Sequence, residues 1–154
     1  MKQNKIIVCC MLLAMISCNN DNSLPNPELT CTDLTIEDNG KEYLNDQVFT
    51  GSCYTVYEQD VSQIDEIRSY KKGISHGLWA KYYHNESLFY KFSSKNGEIH
   101  GLYTSYHDNG NLSEEGKMKM GSKDGVWKYY ERISERLYLK EVYKNKTKID
   151  EENF

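Results

Sequence analysis

Short segments with alternating apolar and polar residues fill most of the chain, and turn-forming residues separate them. GLWAKYY (77–83), GLYTSYH (101–107) and GVWKYY (125–130) are rich in aromatic residues, and SLFYKFS (87–93) and RLYLKEVY (136–143) follow two of them. No 3.6-residue spacing of apolar positions persists, so the pattern predicts β-strands and not helices. Asn-Gly and other glycine turns between the segments favour hairpins.

Two series of glycines recur with the same period. Successive members are 24 residues apart in both series: Gly73, Gly97 and Gly121, and Gly77, Gly101 and Gly125. Aromatic residues follow the second series in phase, two residues later at Trp79, Tyr103 and Trp127, and five residues later at Tyr82, Tyr106 and Tyr130. A looser unit begins at Gly51. The period predicts about four units, at 51–76, 77–100, 101–124 and 125–146, each with two short strands.

A single hairpin is marginally stable in water, whereas stacked hairpins bury a continuous seam. The predicted fold is therefore all-β, an elongated antiparallel meander of stacked β-hairpin repeats of about 24 residues. Side chains alternate along a strand, so Trp79, Tyr103 and Trp127 share one face. Tyr82, Tyr106 and Tyr130 share the other. Both faces carry apolar columns, and the sequence leaves open which one is core, because a bulge changes the register.

Three stretches carry a family resemblance. GLWAKYYHNESL (77–88), GLYTSYHDNGNL (101–112) and GVWKYYERISERL (125–137) resemble the MORN-repeat variant of bacterial exported and antitoxin-type proteins, and YLNDQVFTGSCYTVYEQ (43–59) is similar to a first unit of such proteins. The resemblance covers about two thirds of the chain. It implies an elongated antiparallel β-array and no reaction. Two departures are Asn85-Glu86 in place of an Asn-Gly turn, and Gly116, which is expected to interrupt a second strand.

The N-terminus has the pattern of an export signal. Lys2 and Lys5 precede an apolar run at 6–16 that is too short to span a bilayer as a stable helix, and Ser17 and Cys18 follow it. MISC (15–18) resembles the bacterial lipobox, which implies cleavage before Cys18 and lipid on that residue. The alternative is a plain signal peptide with an incidental cysteine. The expected location is the cell envelope, lipid-anchored to the outer membrane of a Gram-negative bacterium.

These features predict a domain organisation of five segments. They are a lipoprotein signal peptide at 1–17, a lipidated flexible tether at 18–30, an N-terminal capping hairpin at 31–50, the repeats at 51–146 and a frayed tail at 147–154.

Two cysteines remain beyond the signal and the anchor. Cys31 and Cys53 would lie in a compartment where disulfides persist, which favours a structural bridge between the N-terminal segment and the first repeat. A metal pair or a redox pair is the alternative, although no CxxC motif and no cluster of histidines supports either.

Charge and residue types argue against several function classes. The formal net charge is −4, and it becomes more negative without Lys2 and Lys5, so we expect no nucleic-acid partner. Glu114 and Glu115 are adjacent on a strand and so point to opposite faces, which makes them a poor acid–base pair. No nucleophile motif or phosphate loop is present in the sequence. We therefore predict no enzyme activity, no catalytic residues and no cofactor.

Two histidines and an aspartate occupy equivalent positions before the second glycine series. His76, His100 and Asp124 could align in a stacked array and form a metal or pH-sensitive site. The preferred interpretation is polarity imposed by the turns, with no metal bound. His84 and His107 also fall at strand ends, where we expect them to be solvated.

The repeated aromatic residues are the feature that could bind a partner. Tyrosine and tryptophan on a rigid sheet are good anchors, although they could equally form the core. The sequence predicts a membrane-anchored, non-enzymatic protein-interaction or scaffold module. The alternatives are an antitoxin or immunity-type protein that neutralises a partner, and a glycan-binding module that uses the aromatic face.

Overall fold

A computed structural model of the chain describes residues 28–154. Residues 1–27, with the predicted signal peptide, Cys18 and most of the tether, lie outside the described residues. The predicted all-β class is confirmed. Within residues 28–154 the strands are β1 (Leu29–Thr30), β2 (Thr35–Ile36), β3 (Glu42–Leu44), β4 (Gln47–Val48), β5 (Gly51–Tyr57), β6 (Asp60–Lys71), β7 (Ile74–Ser75), β8 (Gly77–Tyr82), β9 (Leu88–Lys95), β10 (Glu98–Tyr106), β11 (Leu112–Lys119), β12 (Ser122–Tyr130), β13 (Leu137–Lys144) and β14 (Thr147–Asn153).

Most of these strands belong to one large sheet. Its order is β1-β5-β6-β8-β9-β10-β11-β12-β13-β14, and β7 pairs with β6 beside this path. The β1–β5 pair is parallel, and the other pairs of the sheet are antiparallel. A separate three-stranded sheet has the order β2-β3-β4. From β8 to β14, each strand pairs with the next one in the chain, so the order of the sheet follows the order of the sequence.

Two-residue turns connect the strands at one end of the large sheet. Asn96-Gly97 joins β9 to β10, and both residues have positive φ, 53° and 87°. Met120-Gly121 joins β11 to β12 with φ of 46° and 73°. Turns with two positive φ values match the right-handed twist of a hairpin, and glycine adopts them without a steric penalty. The first glycine series therefore marks hairpin turns, as the sequence predicted.

Longer turns connect the strands at the opposite end. The amide of Tyr83 donates to the carbonyl of Ser87 over 2.8 Å, and the amide of His107 donates to that of Asn111 over the same distance. Glu86 and Gly110 occupy the same place in these two turns, with φ of 63° and 88°. The loss of the Asn-Gly pair at Asn85-Glu86 therefore leaves the shape of the turn in place, with a glutamate in the left-handed region.

The pairing register shifts once near each of these longer turns. Lys81 lies opposite Tyr90 but Tyr82 lies opposite Leu88, so Phe89 is left over. The same shift leaves Ser113 over between β10 and β11, and Tyr138 between β12 and β13. The extra residues fall at closely similar spacing along the chain. Each extra residue lies in the second strand of its hairpin, so it changes which side of the sheet the side chains of that strand occupy. The side chains of the first strand are not affected by it.

The N-terminal end of the sheet has its own small core. Phe49, Cys53 and Tyr70 are buried together, and Cys31 packs against them. Cys31 and Cys53 form a disulfide, with their Cα atoms 5.0 Å apart, which confirms the predicted bridge. The hairpin around Asn39-Gly40 forms as β2 and β3, but β4 extends it into the separate small sheet. The strand that covers the edge of β5 is the two-residue β1.

One local expectation is wrong, and a second holds only in part. The segment predicted to be a frayed tail forms β14, which pairs with β13 from Thr147 to Asn153. Two ion pairs join β14 to β13, between Lys140 and Glu152 at 2.7 Å and between Lys148 and Glu141 at 3.1 Å. Gly116 lies inside β11, and the pairing of β11 with β12 shifts at this residue, between Glu115 and Lys117, where an aromatic ring described below occupies the space above the glycine.

Candidate functional site

A row of aromatic rings crosses one face of the large sheet. We call Tyr70, Trp79, Phe92, Tyr103 and Trp127 the aromatic row. Successive ring centroids are 5.9, 5.7, 6.4 and 5.6 Å apart. The pairing register builds the row, because Phe92 lies opposite Trp79 on one side and opposite Tyr103 on the other. Trp79, Tyr103 and Trp127 therefore share a face, as predicted. Phe92 lies between Trp79 and Tyr103, and Tyr70 extends the row beyond Trp79.

Trp127 is the buried end of the row. Its side chain is only 1% exposed, and its Nε1 donates to the carbonyl of Lys117 over 3.1 Å. The ring lies directly on Gly116: a Cβ at that position would be 2.3 Å from the indole. Tyr103 lies opposite Gly116 in the register, so the indole fills the space beside the tyrosine. Trp127 is therefore a core residue, and it offers a partner little surface.

The middle of the row stays at the surface. Trp79, Phe92 and Tyr103 are all half-buried. Their rings are nearly parallel, at 24° between Trp79 and Phe92 and 12° between Phe92 and Tyr103. Tyr90 lies beside them, its ring 6.3 Å from that of Tyr103. These four rings form a continuous, partly exposed aromatic surface on β8, β9 and β10.

Cations lie over two rings of the row, Trp79 and Trp127. The guanidinium of Arg68 lies over Trp79, 5.6 Å from the ring centroid. The Nζ of Lys123 lies 4.1 Å above the Trp127 ring and 5.0 Å above the Tyr129 ring, and it donates to the Tyr129 hydroxyl over 2.6 Å. A cation over an aromatic face is attracted by the negative centre of the ring. The face of the sheet that carries the row therefore already binds positive groups of its own chain.

Carboxylates line the same face. Glu66 accepts two hydrogen bonds from Arg68, at 3.0 and 2.8 Å, and Glu114 lies 3.9 Å from the Nζ of Lys123. Burial, together with the charge of Glu66, raises the pKa of Tyr90 to about 12. Burial and the charge of Glu114 also raise the pKa of Tyr103. Both tyrosines therefore stay neutral, and the face carries carboxylates and cations in pairs, Glu66 with Arg68 and Glu114 with Lys123.

Glu141 accepts hydrogen bonds from two tyrosines next to the covered end of the row. The Tyr129 hydroxyl donates over 2.5 Å and the Tyr143 hydroxyl over 3.0 Å, and Lys148 lies at 3.1 Å. The hydrogen bond from Tyr129 is the main cause that lowers the pKa of Glu141, with the bonds from Lys148 and Tyr143 acting in the same direction against burial. The donors Tyr129, Tyr143 and Lys148 thus already have Glu141 as their acceptor, and we assign this cluster a structural role.

The second predicted column lies on the opposite face. Each tyrosine of this column comes three positions after a ring of the aromatic row in the same strand, and side chains alternate between faces along a strand. The column consists of Tyr82, Tyr106 and Tyr130, in β8, β10 and β12. The Tyr130 hydroxyl donates to Glu115 over 2.9 Å, and Lys128 pairs with the same carboxylate at 3.2 Å. Burial and this hydrogen bond raise the pKa of Tyr130 to about 12. Glu114 and Glu115 thus have different partners on different faces, as their alternation predicted.

The histidines have structural positions. His107 lies within hydrogen-bond distance of the Tyr130 carbonyl, 3.0 Å from its Nε2, and the ring of His84 stacks on that of Tyr57 at 3.8 Å. The expectation of simple solvation is therefore wrong for His107, and His84 is exposed but stacked. Within residues 28–154, no three His, Cys, Asp or Glu side chains lie close enough to hold a metal ion, so His76, His100 and Asp124 do not form such a group.

Several residues of this site escaped the sequence reasoning. Tyr90 and Phe92 lie on a second strand, whereas the repeated glycines and the aromatic residues in phase with them lie on first strands. Lys123 and Arg68 belong to no repeated motif. A signal was nevertheless present, since Phe92 follows Trp79 by 13 residues and the longer turn between them places the two residues opposite each other.

The comparisons with known proteins give no family for this chain. No protein-family model matches it, and no curated protein matches it. Among residues 28–154, none of the helical segments has the length and apolar character of a membrane span.

Proposed function

We propose that this chain is a membrane-anchored, non-enzymatic interaction module of the cell envelope, which binds a protein partner through the partly exposed middle of the aromatic row. The observation that carries the proposal is the set of nearly parallel, half-buried rings of Trp79, Phe92 and Tyr103 on adjacent strands. Rings held by a sheet lose little freedom on binding, and aromatic residues are enriched among the residues that dominate binding energy.

The proposal includes an architecture of stacked MORN-like hairpin repeats of about 24 residues. It is supported by the recurrence of the two-residue turns at Asn96-Gly97 and Met120-Gly121. It is also supported by hydrogen bonds between successive longer turns, from the Tyr83 hydroxyl to the Tyr106 carbonyl and between His107 and the Tyr130 carbonyl, each across 23 residues. Neighbour-to-neighbour contacts of this kind are typical of repeat proteins.

Anchoring through lipid on Cys18 has its own test. The full-length chain with Cys18→Ala is expected to leave the membrane fraction after cell lysis and to lose incorporation of labelled fatty acid. Two acyl signals on one protein give stable membrane attachment, so the loss is expected to be nearly complete. Membrane retention with Cys18→Ala would contradict the lipid anchor.

Site-specific photo-crosslinking in cells tests the binding surface. A photoreactive phenylalanine derivative would replace Tyr103 on the aromatic row, and Tyr106 on the opposite face as the matched control. We expect one dominant protein adduct from position 103 and not from position 106. Equal adducts from both positions, or none from position 103, would contradict a partner site on this face. Circular dichroism checks that each variant is folded.

Carbohydrate is a second candidate ligand, and one specific observation favours it. The stacked rings of Phe92 and Tyr103 lie at 12° to each other and are partly exposed, and aromatic rings are suited to contact the apolar faces of sugars. Binding of a neutral oligosaccharide in a glycan array, lost with Tyr103→Ala and kept with Tyr106→Ala, would favour this candidate over a protein partner.

A further inference from the structure

The middle of the aromatic row, at Phe92 and Tyr103, has no cation of the described part of the chain over its rings. Lys123 covers Trp127, and Arg68 covers Trp79. Ile99 precedes Tyr103 by the same four positions as Lys123 precedes Trp127. Within residues 28–154, no lysine or arginine lies over the ring of Tyr103 or Phe92. These two rings contact their neighbours in the row and are half-buried, so only their exposed parts are free to meet a cation from outside the chain.

The surroundings of Tyr103 have the charge that a cation requires. Glu114 lies opposite Ser105, one position along the same face from Tyr103, and its nearest cation is Lys123 at a distance of 3.9 Å. That distance is longer than a hydrogen bond, so the carboxylate keeps acceptor capacity. Glu66 lies on the other side of Tyr90, but Arg68 already binds it, so Glu114 is the carboxylate available to a further cation. The chain as a whole is acidic, with a formal net charge of −4.

We infer that the middle of the aromatic row binds a basic protein segment, with an arginine side chain over the ring of Tyr103 and its charge directed towards Glu114. This inference rests on the proposed function and adds the chemistry of the partner to it. Arginine suits the position because its planar guanidinium stacks on aromatic faces and pairs with carboxylates. The contacts of Arg68 with Trp79 and Glu66 provide the same arrangement within the chain.

The occupant is a protein segment and not a sugar because of the carboxylates. The hydroxyl of a neutral sugar would donate an uncharged hydrogen bond to Glu114, whereas a guanidinium gains charge attraction to the carboxylate and contact with the ring at once. The exposed site is also weakly screened at low salt, since the Debye length is about 10 Å at 0.1 M ionic strength. Binding of a basic segment should therefore weaken as salt rises.

Titration with a synthetic peptide tests the inference on the full-length chain. The probe is a short peptide of alternating glycine and arginine, and its control replaces each arginine by citrulline, which has nearly the same shape and no charge. We expect the arginine peptide to bind measurably in tryptophan fluorescence or calorimetry, and the citrulline peptide to bind at least fivefold more weakly. Equal affinity for the two peptides would overturn the inference.

Matched variants locate the binding. Glu114→Gln is expected to weaken binding of the arginine peptide about threefold to tenfold, whereas Glu115→Gln, on the adjacent residue of the opposite face, should leave it unchanged. Tyr103→Leu removes the ring and should weaken binding similarly, with Tyr106→Leu as its control. If Tyr103→Leu fails to fold, the Glu114 and Glu115 pair decides. Equal effects of Glu114→Gln and Glu115→Gln would overturn the assigned position.

The peptide also separates failure of this inference from failure of the proposed function. If the adduct from position 103 persists in excess arginine peptide, the partner site stands and its basic chemistry is wrong. If a neutral oligosaccharide and not the peptide displaces the adduct, the ligand class is carbohydrate and the inference is overturned. If position 103 gives no adduct and the peptide does not bind, both proposals fail.

Discussion

Gly116 and Trp127 depend on each other at the scale of single residues. The indole occupies the space where a side chain at position 116 would begin, with Cβ–ring distances of 2.3 to 2.6 Å. No rotation of an alanine methyl group can relieve such a contact, so the tryptophan or the strand must move. The glycine is required here for space, and not for a positive φ.

Gly116→Ala should therefore destabilise the protein by about 1–3 kcal/mol, the usual cost of overpacking a filled site. Chemical denaturation followed by tryptophan fluorescence measures the change. The control is the same substitution in a Trp127→Leu background, where the smaller side chain leaves room. We expect the cost of Gly116→Ala to fall sharply there, since contacting residues are not additive. An undiminished cost would show that the indole is not the cause.

Glu141 should make stability depend on pH. Its pKa in the folded protein is lower than the ordinary value of 4.5, chiefly because the Tyr129 hydroxyl donates to it. A group with a lowered folded pKa contributes stability above its unfolded pKa and loses it as pH falls through the folded pKa. Glu141→Gln should thus be less stable than the parent at pH 7, and the difference should shrink below about pH 4.5.

Urea midpoints of both proteins between pH 7 and pH 3 measure this convergence. Glu152→Gln is the matched control, because Glu152 is exposed and pairs with a single lysine. Its effect should be small, since an exposed ion pair contributes little. A constant gap between Glu141→Gln and the parent across the whole range would contradict the assigned role.

At the scale of elements, the hairpin turns differ in how well their residues fit the same backbone. Asn96 and Met120 hold equivalent places, with φ of 53° and 46°, and a glycine follows each. Asparagine tolerates the left-handed region because of its short polar side chain, whereas methionine has no such compensation. Met120 is also exposed, so it gains little from packing.

Met120→Asn is expected to raise the free energy of unfolding by up to about 1 kcal/mol, because the strained position receives the residue that hairpin turns favour. The reciprocal change, Asn96→Met, should lower it by a similar amount. Thermal or urea denaturation of the two variants gives the comparison. A loss of stability with Met120→Asn would mean that methionine packs there in a way its exposure does not indicate.

The sequence predicted these elements to different degrees. The glycine period located the hairpin turns, and alternation assigned Trp79 and Tyr82 to opposite faces. The register shifts beside the longer turns could not be predicted, since an extra residue such as Phe89 has no distinctive residue type. The strand β14 was missed because its seven residues are all exposed and show no apolar alternation. Pairing with β13 decides its structure.

The site was also predicted only in part, because its ring contacts depend on how the strands pair. A column of rings on first strands followed from the period, but the ring contacts depend on residues that interleave from second strands, such as Phe92. The sequence could not predict that Trp127 is buried while Tyr103 is half-exposed, because the difference depends on Gly116 in the neighbouring strand. Ion pairs and ring cations such as Lys123 join residues that no repeat relates.

At the scale of the whole molecule, the two ends of the large sheet are built differently. At the N-terminal end, β1 and the Cys31–Cys53 disulfide cover the edge of β5, and the small sheet packs near them. At the other end β14 is the last strand of the order, and its residues are exposed and mostly polar. Charged side chains on an edge strand oppose pairing with other chains.

The disulfide should stabilise the N-terminal end locally. The bridge spans 22 residues, for which the chain-entropy model gives a contribution of about 3 kcal/mol. Without it, β1 holds β5 through only two residue pairs, Leu29 with Cys53 and Thr30 with Tyr54. We expect the paired variant Cys31→Ser with Cys53→Ser to lose this cover first, because two pairs cannot offset the cost of ordering the segment.

Hydrogen exchange measures how far that change spreads. Each strand from β8 to β13 is held mainly by its two neighbours in the sheet, and β14 by β13 alone, so a loss at β5 should decay along the order of strands. Amide protection should therefore fall in β5 and β6 of the double variant and stay nearly unchanged in β12 and β13. An even loss of protection across all strands would mean that the sheet unfolds as one cooperative unit. In that case the cysteine bridge would stabilise the proposed binding surface on β8 to β10 as strongly as it does its own end.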